Sequence, residues 1–141
     1  MNVLDFKKIF PTLVLLFFFL ISPYSQDTLY DCKIELKEDV LSFRNSQFII
    51  EFQWLDGDIR GRTITNLNTA HTWKLPEGSH GNLIVPDSLA PISAGLKVFQ
   101  VLDHVLYPDH LVGEITTKYE YFEIRRTYRL YPGIGALKMN L

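Results

Sequence analysis

Phe48, Ile50, Phe52 and Trp54 share one parity along the chain, and Gln47, Glu51 and Gln53 share the other. A period of two with one apolar face predicts a half-buried strand. Asn45-Ser46 supplies turn chemistry before it and separates it from a shorter strand over residues 40–43. Asp56-Gly57 follows it and predicts a hairpin, because glycine accepts the positive φ that such turns demand. Residues 59–65 then form the returning strand, closed by Asn66-Leu67-Asn68. Residues 71–91 carry Pro76, Gly78, Gly81, Pro86 and Pro91 and read as loop, with a short strand over 83–85.

The second half alternates again. Leu111, Gly113, Ile115, Thr117, Tyr119 and Tyr121 take one parity, but from Phe122 it inverts: Phe122, Ile124, Tyr128 and Leu130 look inward, and Glu123, Arg125 and Arg129 outward. One unbroken strand over this stretch would run about 70 Å at ~3.3 Å per residue, far beyond ordinary strand lengths. The inversion therefore predicts a hairpin near Tyr121, although no glycine or asparagine stands there. Residues 96–106 are apolar on both faces and predict a strand sandwiched between layers. Pro132-Gly133 turns the chain into a further apolar segment over 134–141, which ends on Leu141. A terminal strand wants a partner for its backbone groups, so this ending reads as the front part of a larger domain. No amphipathic helix is evident, and the fold class is all-β, an antiparallel β-sandwich.

The N-terminus changes the picture of where this domain works. Lys7 and Lys8 precede 13 residues, 9–21, that are apolar except for Pro11 and Thr12. That is shorter than the ~18 to 20 residues a membrane span needs, and it suits a signal peptide. Residues 1–25 are read as that signal, with cleavage after Ser25, and residues 26–141 as one exported domain, periplasmic or extracellular, with no membrane segment left after cleavage. Charge then excludes a class of partner. The formal net charge is −2, and setting aside Lys7, Lys8 and Asp5 makes it −3, so nothing favours nucleic acid. The single cysteine, Cys32, cannot form an internal disulfide, so the domain must be held by core burial; Cys32 itself reads as a small buried hydrophobe.

Two segments carry a family resemblance. The run Leu41-x-x-x-Asn45-Ser46-x-Phe48-x-x-x-Phe52-x-Trp54-x-Asp56-Gly57 resembles the opening hairpin of the N-terminal domain of melibiase-type α-galactosidases. The segment Arg126-Thr127-Tyr128-Arg129-Leu130-Tyr131-Pro132-Gly133-x-x-Ala136 resembles a later strand-turn-strand of the same domain. Ile50 stands where that pattern has a basic residue, and Gly135 where it has a proline. The resemblance implies a supersandwich-like β domain, incomplete at its C-terminal end, that packs on a catalytic (β/α)8 barrel absent from this chain. It further implies an exported glycoside hydrolase whose catalytic carboxylates belong to that barrel, and contact with galactose-containing glycans. The alternative is a free-standing exported module that binds carbohydrate or another envelope component.

Candidate chemistry is sparse. Trp73, beside His71 at the edge of the loop-rich middle, and Trp54 can each stack on the apolar face of a pyranose, but both read first as packing residues, Trp54 more so because it completes the Phe48-Ile50-Phe52 stripe. His71, His80, His104 and His110 show no metal-ligand spacing, and Gly133-x-Gly135 precedes no helix, so neither a metal nor a cofactor is expected. Retaining glycoside hydrolysis needs two carboxyls about 5 to 5.5 Å apart. The pairs Asp56/Asp58 and Glu120/Glu123 flank predicted turns, where surface chemistry explains them. Arg125, Arg126 and Arg129 read as a basic cluster pairing across strands with Glu120 and Glu123 on a solvated face.

Overall fold

The alternating stripe of residues 48–54 lies at the centre of a six-stranded antiparallel sheet. The computed structural model describes residues 26–55, 57–74, 89–102 and 105–141. Its first sheet runs in chain order: β1 (Gln26–Leu29), β2 (Cys32–Lys37), β3 (Val40–Arg44), β4 (Phe48–Leu55), β5 (Asp58–Asn66) and β6 (His71–Lys74). The second has the order β10-β9-β8-β7, from β7 (Ser93–Val101), β8 (His110–Lys118), β9 (Glu123–Leu130) and β10 (Leu137–Asn140). Every pairing is antiparallel, no helix occurs among the described residues, and the sheets pack face to face as a β-sandwich. The signal-like residues 1–25 and the expected strand at 83–85 lie outside the described residues.

Turn chemistry sets the register. Glu38 and Asp39 both take positive φ, 47° and 61°, as a two-residue hairpin with the twist of its flanking strands requires. Gly57 takes φ 89° between β4 and β5, where Leu55 pairs with Asp58. The parity inversion near Tyr121 is a hairpin: Lys118 pairs with Glu123, Tyr119 N–H donates to Phe122 O at 2.9 Å, and the Tyr119 and Phe122 rings stack at 4.7 Å. Ring stacking supplies here what glycine supplies elsewhere, and the turn needs no left-handed residue.

Register in turn decides what is buried. Leu41 and Phe43 of β3 share one buried cluster with Leu111, Ile115, Tyr128 and Leu130 of the second sheet, and Phe43 lies over Gly113. Phe43, Phe52 and Tyr128 form an aromatic trio with centroids 5.0 to 6.2 Å apart, tying both sheets. Each such side chain contributes about 1.5–3 kcal/mol by leaving water. Gly113 lets the layers approach: a Cβ there would come within 3.3 Å of both Ile34 and Phe43.

Three expectations are corrected. The strand expected over 96–106 ends at Val101, and β7 is an edge strand with only Leu96, Val98, Phe99 and Val101 partly covered. Leu102, Val105 and Leu106 leave it exposed. Arg126 is not on the solvated face. Alternation puts it inward between Arg125 and Thr127, 6% exposed, where its Nη1 donates to Gly57 O at 3.0 Å. Residues 71–74, expected as the start of a loop, form the edge strand β6 through pairing with β5.

Polar clasps close the sandwich at both ends. At one, Gly57 O accepts from Thr117 Oγ1 and Arg126 Nη1, each at 3.0 Å. A Cβ on Gly57 would come within 2.2 Å of Ala94 Cβ, so only glycine fits. At the other, buried Asn45 donates through Nδ2 to Tyr131 O (2.9 Å) and Ile134 O (2.7 Å) and accepts at Oδ1 from Gln47 N–H (2.9 Å) and Phe48 N–H (3.1 Å). Asp31 Oδ2 beside it accepts from Ser46 N–H (2.9 Å) and Gly133 N–H (3.1 Å). Desolvation works against the charge on Asp31, but the hydrogen bonds from Ser46 and Gly133 outweigh it and hold its carboxyl below the ordinary value.

Asn45→Ala leaves four backbone groups without their partner and is expected to cost about 3 kcal/mol, read as a lowered urea midpoint at unchanged m-value. Because the Asp31 carboxyl is depressed in the folded state, its stabilisation is complete above the unfolded value near ~4 and is lost as pH falls through the lower folded value. Asp31→Asn should therefore be less stable at neutral pH and lose less stability on acidification, measured as melting temperature against pH.

Candidate functional site

Strand β6 is the outer edge of the wider sheet, and all four of its residues are exposed. His71 and Trp73 are two residues apart, so they share a face, and their rings meet edge-to-face with centroids 4.4 Å apart. The pairings Trp73↔Ile64, Ile64↔Ile50 and Ile50↔Phe43 put that face on the side that is core at β3. Six strands face four, and at β6 that side lies open, leaving the indole 48% exposed. Thr65 and Thr72 share a hydrogen bond of 2.9 Å on the opposite face and fasten the edge strand. An exposed, immobilised aromatic pair of this kind can stack on the C–H face of a sugar ring.

Trp54 is elsewhere. It pairs with Ile59, whereas Trp73 pairs with Ile64, so five positions of β5, about 16 Å at ~3.3 Å per residue, separate the two indoles along the strand. Trp54 is partly buried and packs on the core cluster. The two tryptophans therefore do not form one platform.

Of the carboxylates singled out in the sequence, Asp58 and Glu123 are engaged in surface ion pairs. Asp58 meets Arg60 at 3.4 Å, and Glu123 meets Arg125 at 3.3 Å and Lys118 at 3.9 Å. Exposed pairs of this type contribute at most about 1 kcal/mol. Asp56 lies outside the described residues. No three His, Cys, Asp or Glu side chains come together as a metal site among the described residues. Buried Cys32 is no nucleophile: desolvation, with Asp31 adding, pushes its thiol up to about 12, and Sγ donates to Leu130 O at 3.7 Å.

The structure also assembles a groove that the sequence reading did not find. On the outer face of the four-stranded sheet, the β7–β8 and β8–β9 registers align Phe99, Val112 and Arg129 in one row, and β10 adds Lys138. The groove holds about 530 Å³, with Glu114 and Asn140 on one side and His110, Tyr131 and Tyr107 on the other. His110 Nδ1 lies 2.9 Å from Pro108 O, and its ring lies 4.9 Å from that of Tyr131. The available signal was the double-faced apolarity of β7: Phe99 and Val101 face outward and floor this groove, where the sequence suggested a second layer.

No family model, curated protein or solved structure matches the chain.

The two indoles should respond differently to truncation. Trp54→Ala, which removes a core contact, should lower stability by about 3 kcal/mol, and Trp73→Ala, on an exposed edge, by less than about 1 kcal/mol. Paired denaturant titrations check this.

Proposed function

We propose that this chain is a non-catalytic β-sandwich module of an exported, α-galactosidase-like glycoside hydrolase. It packs on a catalytic barrel and presents aromatic side chains to galactose-containing glycan. The observation that carries the reading is the exposed His71–Trp73 pair, two rings held 4.4 Å apart on an edge strand. The half-exposed indole, held edge-on against the imidazole, presents a flat apolar face on which a sugar ring can stack.

A second feature favours a docked module over a free-standing one. Tyr30, Leu102, Val105, Leu106 and Tyr107 are all more than half exposed, and Tyr30 and residues 105–107 line one shallow depression. Apolar surface gathered at one end of a sandwich suits burial against a neighbouring domain. Tyr30 is aimed there by its Oη, which donates to Asp109 Oδ2 at 3.1 Å. That hydrogen bond raises the phenol's pKa. A free-standing carbohydrate-binding module would share the β6 pair but should behave as a monodisperse monomer.

Titration with α-galactosyl oligosaccharides should change the tryptophan fluorescence of the full chain. The change should disappear in Trp73→Ala and persist in Trp54→Phe. A stacked ring is worth about 0.5–1.5 kcal/mol beyond the area it buries, so a loss of affinity of roughly two- to tenfold is expected. A response that survives Trp73→Ala, or no response in the unaltered chain, overturns the glycan reading.

A further inference from the structure

The outer face of the four-stranded sheet combines three properties that a merely solvated face lacks. Its floor is apolar: Phe99 and Val112 pair directly across β7 and β8, and Val112 is only 3% exposed. Its wall is aromatic, with Tyr131 held against the nearly buried ring of His110. Its charge is cationic: Lys97 Nζ lies 5.3 Å from the Phe99 ring centroid at one margin, and two further cations stand together on β9 and β10. Arg129 pairs with Lys138 across β9 and β10, and alternation points both side chains outward from the same row.

That placement costs something. Like charges directly opposite each other repel, and the row Phe99–Val112–Arg129–Lys138 contains no acid to offset them. Asn140, with its amide oxygen turned toward the guanidinium, accepts from Arg129 Nη1. A guanidinium has five N–H donors in a planar fork, and one amide occupies one of them. The fork matches a carboxylate. Glu114 stands one row away and pairs across strands with Lys97 and Thr127. It can accept from ligand hydroxyls, and its charge at neighbouring-strand distance disfavours a doubly charged phosphate.

We propose that this groove binds an acidic oligosaccharide, a chain containing hexuronate residues. The apolar face of a pyranose lies over Phe99 and Val112 against Tyr131. Its ring carboxylate meets Arg129 and Lys138, and its hydroxyls meet Glu114, Thr127 and Asn140. A volume of about 530 Å³ accommodates two to three such rings and falls in the range of working ligand sites, roughly 300–1,000 Å³. This site is separate from the β6 pair and does not depend on the reading given to that pair.

The test is calorimetric titration of the full chain with trigalacturonate and with the neutral galactotriose of the same ring skeleton. The acidic trisaccharide should bind at least tenfold more tightly, and its affinity should fall between low and physiological salt. Lys138→Gln, on an exposed edge strand, and the double variant with Arg129→Gln should reduce acidic binding at least tenfold while melting temperature stays unchanged. Trp73→Ala should leave this binding intact. Equal affinity for the acidic and neutral ligands, tighter binding of galactose 1-phosphate, full affinity in the double variant, or loss of binding in Trp73→Ala would each overturn the proposal.

Discussion

One buried amide joins the two halves of this molecule. Asn45 ends β3, begins the turn into β4, and gives both its protons to carbonyls of the turn after β9. A sandwich can bury its side chains without such a residue, but the backbone groups at the ends of its sheets still need partners once water is excluded. Asn45 meets that requirement with four hydrogen bonds from one side chain, and Asp31 adds two more from an adjacent turn. At the far end the Gly57 carbonyl does the equivalent work for Thr117 and the inward-facing Arg126. Between these clasps the sheets are held at a fixed separation, and Gly113 and the aromatic trio of Phe43, Phe52 and Tyr128 fit that gap.

The unequal widths of the sheets account for the surface. Six strands opposite four leave β6 with its core-side face open, and this is where His71 and Trp73 meet. Four strands with an apolar row on the outside leave a groove floored by Phe99 and Val112. Both features are aromatic surfaces on rigid, paired strands, and such surfaces hold their shape without paying for loop ordering on binding. Asp58 and Glu123, near the turns, are occupied instead with arginine and lysine on the solvated faces.

Much of this could be read from residue order alone. The stripe of Phe48, Ile50, Phe52 and Trp54, the Asp56-Gly57 hairpin and the parity inversion at Tyr121 all depend on local alternation, and each corresponds to a strand or turn of the structure. The β-strand at residues 71–74 was not legible, since four residues are too few for an alternation to show, and it exists through pairing with β5. Residues 96–106 misled in an informative way. Apolar residues on both faces indicate cover on both faces only if two layers are present, and here the outer face is a groove.

Sequence by itself determined the fold class, the hairpins and which residues share a face, because a strand's period and a turn's φ requirement act over a few neighbouring residues. Tertiary structure alone decided the use of those faces. Arg125 and Arg126 are neighbours of the same charge, yet one lies in solvent beside Glu123 and the other is buried against the Gly57 carbonyl. Trp54 and Trp73 are chemically identical, yet one packs on the core and the other stands open at a sheet edge. The difference in each case is whether a second layer covers the residue, which depends on how many strands each sheet has and how the sheets are offset. No window of sequence contains that information, because burial belongs to contacts between residues far apart in the chain.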